Sequence, residues 1–192
     1  MNAITVCVEY DDLLSLTLAH NRKHFDKYLI VTTPQDQRTI DLAALHGCTV
    51  YGTDAFYRDG AIFNKGLAME EGFDILGRHC GWMCVLDADI ILPDGFPGKE
   101  VRYTDALYVP RRRMVDPIRQ EAGLLKDWSQ FPLNMEHDLA GYCQIFNTSS
   151  KWLDRRPWYG TKWRHAGGCD TEFEALFPRY DKHRIEDFTV LH

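Results

Sequence analysis

Two carboxylates two residues apart, Asp87 and Asp89, follow the apolar run Trp82–Leu86 in the string WMCVLDADIIL. In an extended chain, residues i and i+2 point to the same side, so both acids can converge on one cation while Ala88 points away. Two hard oxygen ligands suit Mg²⁺ or Mn²⁺, with substrate phosphate and water completing the shell, so a substrate carrying a diphosphate is the natural partner. A D-x-D tripeptide can equally be a capped loop, and its position at a strand end is what favours the metal. Other phosphate chemistries fit less well. An acidic nucleophile pair belongs after the first strand and ahead of a Thr, but this pair lies mid-chain and precedes Ile90-Ile91-Leu92. A glycine cradle is missing too, because the turn after the first strand reads Glu9-Tyr10-Asp11-Asp12.

The elements that must position this pair can be read from patterning. Ala3–Val8 is an apolar strand, and Asp11-Asp12 can cap a helix carrying Leu13, Leu14, Leu16 and Leu18. Tyr28–Thr32 is a second buried strand, and Pro34 opens a helix that Gly47 closes ahead of a third strand, Cys48–Tyr51. A helix from about Ala61 to Leu76 leads to the fourth strand, Trp82–Leu86. Four strands alternating with three helices imply a mainly parallel α/β sheet, covered on both faces, with ligands at the carboxyl ends of its strands. Beyond Pro93 the alternation stops. Val101–Val109 and Gly141–Phe146 read as strands around an unassigned Pro- and Arg-containing stretch, and the closing Phe188-Thr189-Val190-Leu191-His192 reads as one more.

Composition sets the frame. The chain has 192 residues, 22 Lys+Arg and 28 Asp+Glu, for a formal net charge of −6, with 45% hydrophobic residues. This describes one ordinary globular domain that can bury roughly 70% of its unfolded surface without staples. No apolar run reaches the roughly 20 residues of a membrane span, and the first residues lack the pattern of a signal peptide, so a cytoplasmic location is expected. Six cysteines without a C-x-x-C pair suit reduced thiols. The acid excess argues against coating nucleic acid, while leaving room for a local basic patch.

Five motifs, in this order, carry a resemblance: ITVCVEYDD at the first strand, FNKG at Phe63–Gly66, the D-A-D at Asp87–Asp89, GGCDTEF at Gly167–Phe173, and the closing VLH. Together they resemble nucleotide-sugar-dependent glycosyltransferases of the GT-A fold, the family-2-like group, over nearly the whole chain. The resemblance implies a Rossmann-like domain, 1–192, with a nucleotide-sugar-binding half, 1–92, and a smaller irregular acceptor and catalytic half, 93–192. It implies that Glu9, Tyr10 and Asp11 hold the nucleotide base and ribose, which suits a ring that stacks and carboxylates that accept hydrogen bonds; helix capping also explains Asp11. Lys65, in the first turn of a helix, would add its charge to an anion site, unless it is simply a solvated surface lysine.

By the same resemblance, Asp170 is the general base on the acceptor hydroxyl, giving inversion; an acceptor positioned on the other sugar face would instead give retention, and that alternative stays open. The glycines before it, Gly168 among them, let the sugar approach the backbone, and the helix that follows favours an ionised carboxylate. An N-cap role can coexist with this. Cys169 departs from the family pattern, which has Glu there, and this bears on acceptor handling. His192 corresponds to a third metal ligand beside Asp87 and Asp89, with neutral imidazole favouring Mn²⁺ over Mg²⁺. Gln144 and Tyr142 share one strand face toward the donor sugar, although a buried strand satisfying its own polar groups explains them nearly as well. Ala88, between the two acids, lies with the donor.

The expected activity is metal-dependent transfer of a hexosyl group from a nucleotide-diphosphate sugar, a UDP-sugar in first place, to an acceptor hydroxyl. The acceptor is expected to be a carbohydrate or small molecule. Two alternatives stay open: a non-catalytic nucleotide-sugar-binding module, and transfer to a modified base in nucleic acid. The latter rests on Arg111-Arg112-Arg113 and on Arg155, Arg156, Lys162 and Arg164 interleaved with Trp152, Trp158 and Trp163. A solvated basic face is the plain alternative for that run.

Overall fold

The computed structural model describes residues 1–115, 128–134 and 141–192. Their strands are β1 (Asn2–Val6), β2 (Lys27–Thr32), β3 (Thr49–Gly52), β4 (Trp82–Leu86), β5 (Leu107–Arg113), β6 (Cys143–Asn147) and β7 (Lys182–Leu191). The helices are α1 (Asp11–Asn21), α2 (Gln37–Leu45), α3 (Lys65–Leu76) and α4 (Cys169–Ala175). The seven strands form one sheet in the order β3-β2-β1-β4-β6-β5-β7. β1 runs parallel to both β2 and β4, and β2 parallel to β3, as alternating strand and helix require. β6 is antiparallel to β4 and β5, and β5 is parallel to β7.

Direction decides what meets at the site. β1, β4, β5 and β7 all end at one rim of the sheet, and antiparallel β6 begins there. The residues after β1 and β4, those before β6 and those closing β5 and β7 therefore converge. The middle strands are apolar on both faces, and Ile4, Leu29, Phe73 and Phe146 are fully buried. Each such side chain contributes roughly 1.5–3 kcal/mol to the sheet that carries the rim.

Several boundaries differ from those the sequence suggests. α3 starts at Lys65 rather than near Ala61, because the Asn64 side chain accepts from the Leu67 backbone N–H at 2.9 Å and caps the helix. Asp11 and Asp12 lie inside the first turn of α1, with Tyr10 at the cap position, so they act on the helix dipole and do not cap. The strand expected at Val101–Val109 runs instead through Leu107–Arg113. Pro110 is accommodated at a register shift between Pro110 and Arg111 on β7, which lets the Arg run continue as sheet. Part of the Pro- and Arg-containing stretch lies outside the described residues. The closing strand is also longer than FTVLH, because its pairing with β5 begins at Lys182. All six cysteines are free, and among the described residues no helix is long and apolar enough to cross a membrane.

Candidate active site

An open cleft of about 390 Å³ lies at this rim, lined by the turn after β1, by Tyr57 and Phe63, and by Lys65 and Asp87-Ala88-Asp89. Glu9 and Tyr10 form its first wall. Glu9 sits at φ 56°, a left-handed conformation that costs a non-glycine residue energy. Asp36 holds it there: its Oδ2 accepts from the Glu9 N–H at 2.8 Å and from the Thr32 hydroxyl at 3.0 Å, and its Oδ1 from the Thr39 N–H at 3.2 Å. Burial pushes the Asp36 carboxyl upward, but these bonds outweigh it and hold it below the ordinary carboxylate range. Asp36 thus caps α2 and clamps the cleft's first loop. Its signal in the sequence was an Asp three residues before Thr39, an N-cap spacing that the motif reading passed over. Asp11 does not line this cleft; it borders a neighbouring one together with Glu9, Asp36 and Arg38.

The cleft floor is electrostatic. Lys65 Nζ lies 2.7 Å from Asp87 Oδ1. Burial works against the Lys65 charge, but the Asp87 carboxylate overcomes it, with a smaller contribution from Asp170, and keeps the ammonium above its ordinary value. Asp89 points to a different partner, with His192 Nε2 3.1 Å from its Oδ2. Burial raises the Asp89 carboxyl, and the His192 bond more than reverses this and lowers it. His192 is anchored by backbone bonds on both sides, its N–H to Arg113 O and its carbonyl from Val115 N–H, each 2.9 Å.

Arg112 settles the His192 tautomer. Its Nη1 lies 2.9 Å from His192 Nδ1, and a guanidinium can only donate. Nδ1 is therefore the acceptor, and Nε2 carries the hydrogen that is donated to Asp89. The Arg112 guanidinium also sits 4.6 Å over the Tyr142 ring, which lies nearly parallel to the His192 ring at 14°. As arranged, both His192 nitrogens are taken, Nε2–H by Asp89 and Nδ1 by Arg112, so His192 could join Asp89 on a divalent ion only with the hydrogen off Nε2 and on Nδ1, and with Arg112 turned away from Nδ1. Asp87 is engaged by Lys65, and among the described residues no group of three or more His, Cys, Asp or Glu side chains is gathered for a metal.

Asp170 stands beside this floor, in the first turn of α4. The cap of α4 is Gly168, at φ 94°, where an added Cβ would also strike the Trp163 ring at 2.6 Å. The Asp170 carboxylate lies against Gly141, where a Cβ would come within 2.1 Å of Oδ2. The adjoining Tyr142 carbonyl accepts from the Asp87 N–H at 2.9 Å, so Gly141-Tyr142 links the acid pair to Asp170. Gln144 takes the buried option: it is 0% exposed, accepts from the Tyr159 hydroxyl, and donates to the Asp170 carbonyl at 3.5 Å. Its side chain supports α4 from beneath. Tyr142 is likewise buried, with its hydroxyl donating to the Pro110 carbonyl.

The basic run is occupied internally. Along β5, Arg111 pairs with Glu186, Arg112 contacts His192, and Arg113 donates to the carbonyls of Ser129 and Phe131. Alternation along the strand explains why only the middle arginine reaches the Asp89 side. The loop 161–168 closes the cleft's far edge: its Arg164 carbonyl accepts from the Ile62 and Phe63 N–H groups, and Ala166 lines the cleft.

No family model and no curated protein matches the sequence. Among solved structures, a mycobacterial protein superposes with a TM-score of 0.63 at 13% identity, covering 100% of this chain and 66% of its own. Glucosyl-3-phosphoglycerate synthase from Mycobacterium tuberculosis, in complex with Mn²⁺, UDP-glucose and phosphoglyceric acid, gives a TM-score of 0.62 at 12% identity, covering 100% of this chain and 71% of its own. The same enzyme with Mg²⁺ and UDP gives 0.56 at 12% identity over 96% of this chain and 68% of its own. The chain therefore spans about two-thirds of the length of the structures it matches. Over its whole length the chain has the GT-A fold of these structures.

Proposed function

We propose that the chain is a metal-dependent glycosyltransferase that moves a hexosyl group from a nucleoside diphosphate sugar, a UDP-sugar in first place, to an acceptor hydroxyl. The observation that carries this reading is one cleft that presents Tyr10, Lys65, Asp87 and Asp89 together, with His192 bonded to Asp89. Lys65, in the first turn of α3, combines its own charge with the positive helix end and suits the diphosphate. Asp89 would hold Mn²⁺ or Mg²⁺, joined by His192 Nε2 once its hydrogen has moved to Nδ1 and Arg112 has turned from it, and the bound ion supplies charge neutralisation to the leaving diphosphate. Asp87 orients Lys65 through their ion pair. Asp170 takes the acceptor proton on its carboxylate, so the acceptor attacks from the face opposite the diphosphate and the anomeric carbon inverts.

Within this reading, residues 1–92 serve the donor, and 93–192 supply the acceptor side and the base. Arg111, Arg112 and Arg113 all have internal partners, which speaks against a nucleic acid held by that run and favours a small acceptor. A phosphorylated hydroxy acid, as the mycobacterial synthase binds, is the first to test. Six free cysteines suit a reducing, cytoplasmic setting. The test is incubation with UDP-, GDP- and dTDP-sugars and Mn²⁺, with detection of released nucleoside diphosphate and of the product's anomeric configuration. Release with an inverted product supports the proposal. Donor binding with neither hydrolysis nor transfer to any acceptor favours a binding module, and no donor binding overturns both.

A further inference from the structure

Besides Tyr10 and Phe63, the cleft has a third aromatic residue, one that the motifs did not single out. Tyr57 lies on the short turn Ala55–Gly60 between β3 and α3, a different wall from the one that carries Tyr10. The turn is firmly fastened. Phe56 is fully buried and stacks on Phe63 at 5.0 Å, its carbonyl accepts from the Asn64 N–H at 2.7 Å, and the Asp59 carbonyl accepts from Arg164 at 2.6 Å. Tyr57 itself remains 48% exposed and Tyr10 58% exposed. Single exposed tyrosines are unremarkable on a protein surface. Two that line one cleft are less so, and here the ring of Tyr10 touches no other aromatic ring among the described residues while Tyr57 neighbours only Phe56. A flat ring bound in this cleft has two half-exposed tyrosines in the same lining to pack against.

The polarity of the cleft says which part of a ligand that ring is. Lys65, Asp87 and Asp89 claim the phosphate end, so the planar, apolar-faced end falls to the side of Tyr10 and Tyr57. We infer that Tyr57 is a donor-recognition residue that stacks on the nucleobase opposite Tyr10, so that the cleft selects a base-bearing diphosphate over a bare one. This rests on the glycosyltransferase reading. Because the turn is already pinned by buried neighbours and backbone bonds, stacking on Tyr57 needs little ordering of the protein, which preserves its contribution to affinity.

The test is calorimetric titration of the chain with UDP, GDP, dTDP and inorganic pyrophosphate in the presence of Mn²⁺, for wild type, Tyr57→Ala and Tyr57→Phe. Loss of one base-stacking ring should weaken binding of the preferred nucleoside diphosphate roughly ten-fold or more. Pyrophosphate binding should be unchanged, and Tyr57→Phe should keep wild-type affinity. An equal loss for pyrophosphate, or wild-type nucleotide affinity in Tyr57→Ala, overturns the inference while leaving the transfer reading intact. If the wild-type chain binds none of the three nucleotides, both fall. Thermal melting of each variant checks that the half-exposed site has not cost the fold.

Discussion

His192 Nε2 donates to Asp89 Oδ2 at 3.1 Å although the two residues are 103 positions apart. The contact exists because Ile91, just beyond the acid pair, forms an antiparallel bridge with Leu191, with N–H···O distances of 2.9 and 3.0 Å. Asp89→Asn removes the anionic half of this pair while preserving its shape. Mn²⁺-dependent binding of a nucleoside diphosphate should be lost in that variant, whereas metal-independent binding should persist. Titration with and without Mn²⁺ reads the difference, and an unchanged Mn²⁺ effect would remove Asp89 from the metal site.

Arg112 governs the same histidine from its other nitrogen. With Arg112 donating to Nδ1, the hydrogen stays on Nε2 in the metal-free protein. Arg112→Met keeps much of the side-chain bulk over Tyr142 but removes the donor. The ¹⁵N shifts of His192 should then move from a pure Nε2–H tautomer toward a mixture. Identical shifts in both proteins would show that Arg112 does not set the tautomer.

Asp170 is expected to matter for turnover and not for donor affinity. Asp170→Asn should leave nucleotide binding within about two-fold and lower transfer by roughly 10²–10⁴-fold, the usual worth of a general base. Gly141→Ala is a companion that leaves the carboxylate present but displaces it, since the new Cβ would sit 2.1 Å from Oδ2. It should depress kcat with the fold retained by circular dichroism. Full activity in Asp170→Asn would reject it as the base.

Away from the site, His24 ties stability to pH. Its ring packs edge-on against Phe25 and Phe96, and its Nε2 is buried without a hydrogen-bond partner. Burial, reinforced by Lys23, lowers its pKa below the ordinary 6.5 despite the opposing charge of Asp94. A group whose folded pKa is depressed stabilises the fold above its unfolded pKa, and that contribution is lost as pH falls toward the folded value. The melting temperature should therefore drop as pH falls below about 6.5. His24→Phe should show a smaller drop over the same range. Parallel pH profiles for the two proteins would exclude His24 as a contributor.

The amino-acid sequence alone determined the first half of the fold and which acidic residues stand at the end of β4. Alternating apolar runs and helix signals placed β1 to β4, and the spacing of Asp87 and Asp89 on an extended chain marked the acid pair, because these are local properties of strand geometry. What lay beyond local reach was partnership. Nothing near Asp87 in the chain says that Lys65 would take it, or that Asp89 would face His192 and Arg112 instead. The isolation of Gln144 beneath α4 and the role of Asp36 in holding Glu9 are equally non-local. Those choices depend on six strands ending, and β6 beginning, at one edge of a sheet whose order, β3-β2-β1-β4-β6-β5-β7, is not the order of the chain. Hydrogen bonds and ion pairs act over a few ångströms in space, so only the tertiary arrangement that brought these distant residues within that range could decide which of them meet.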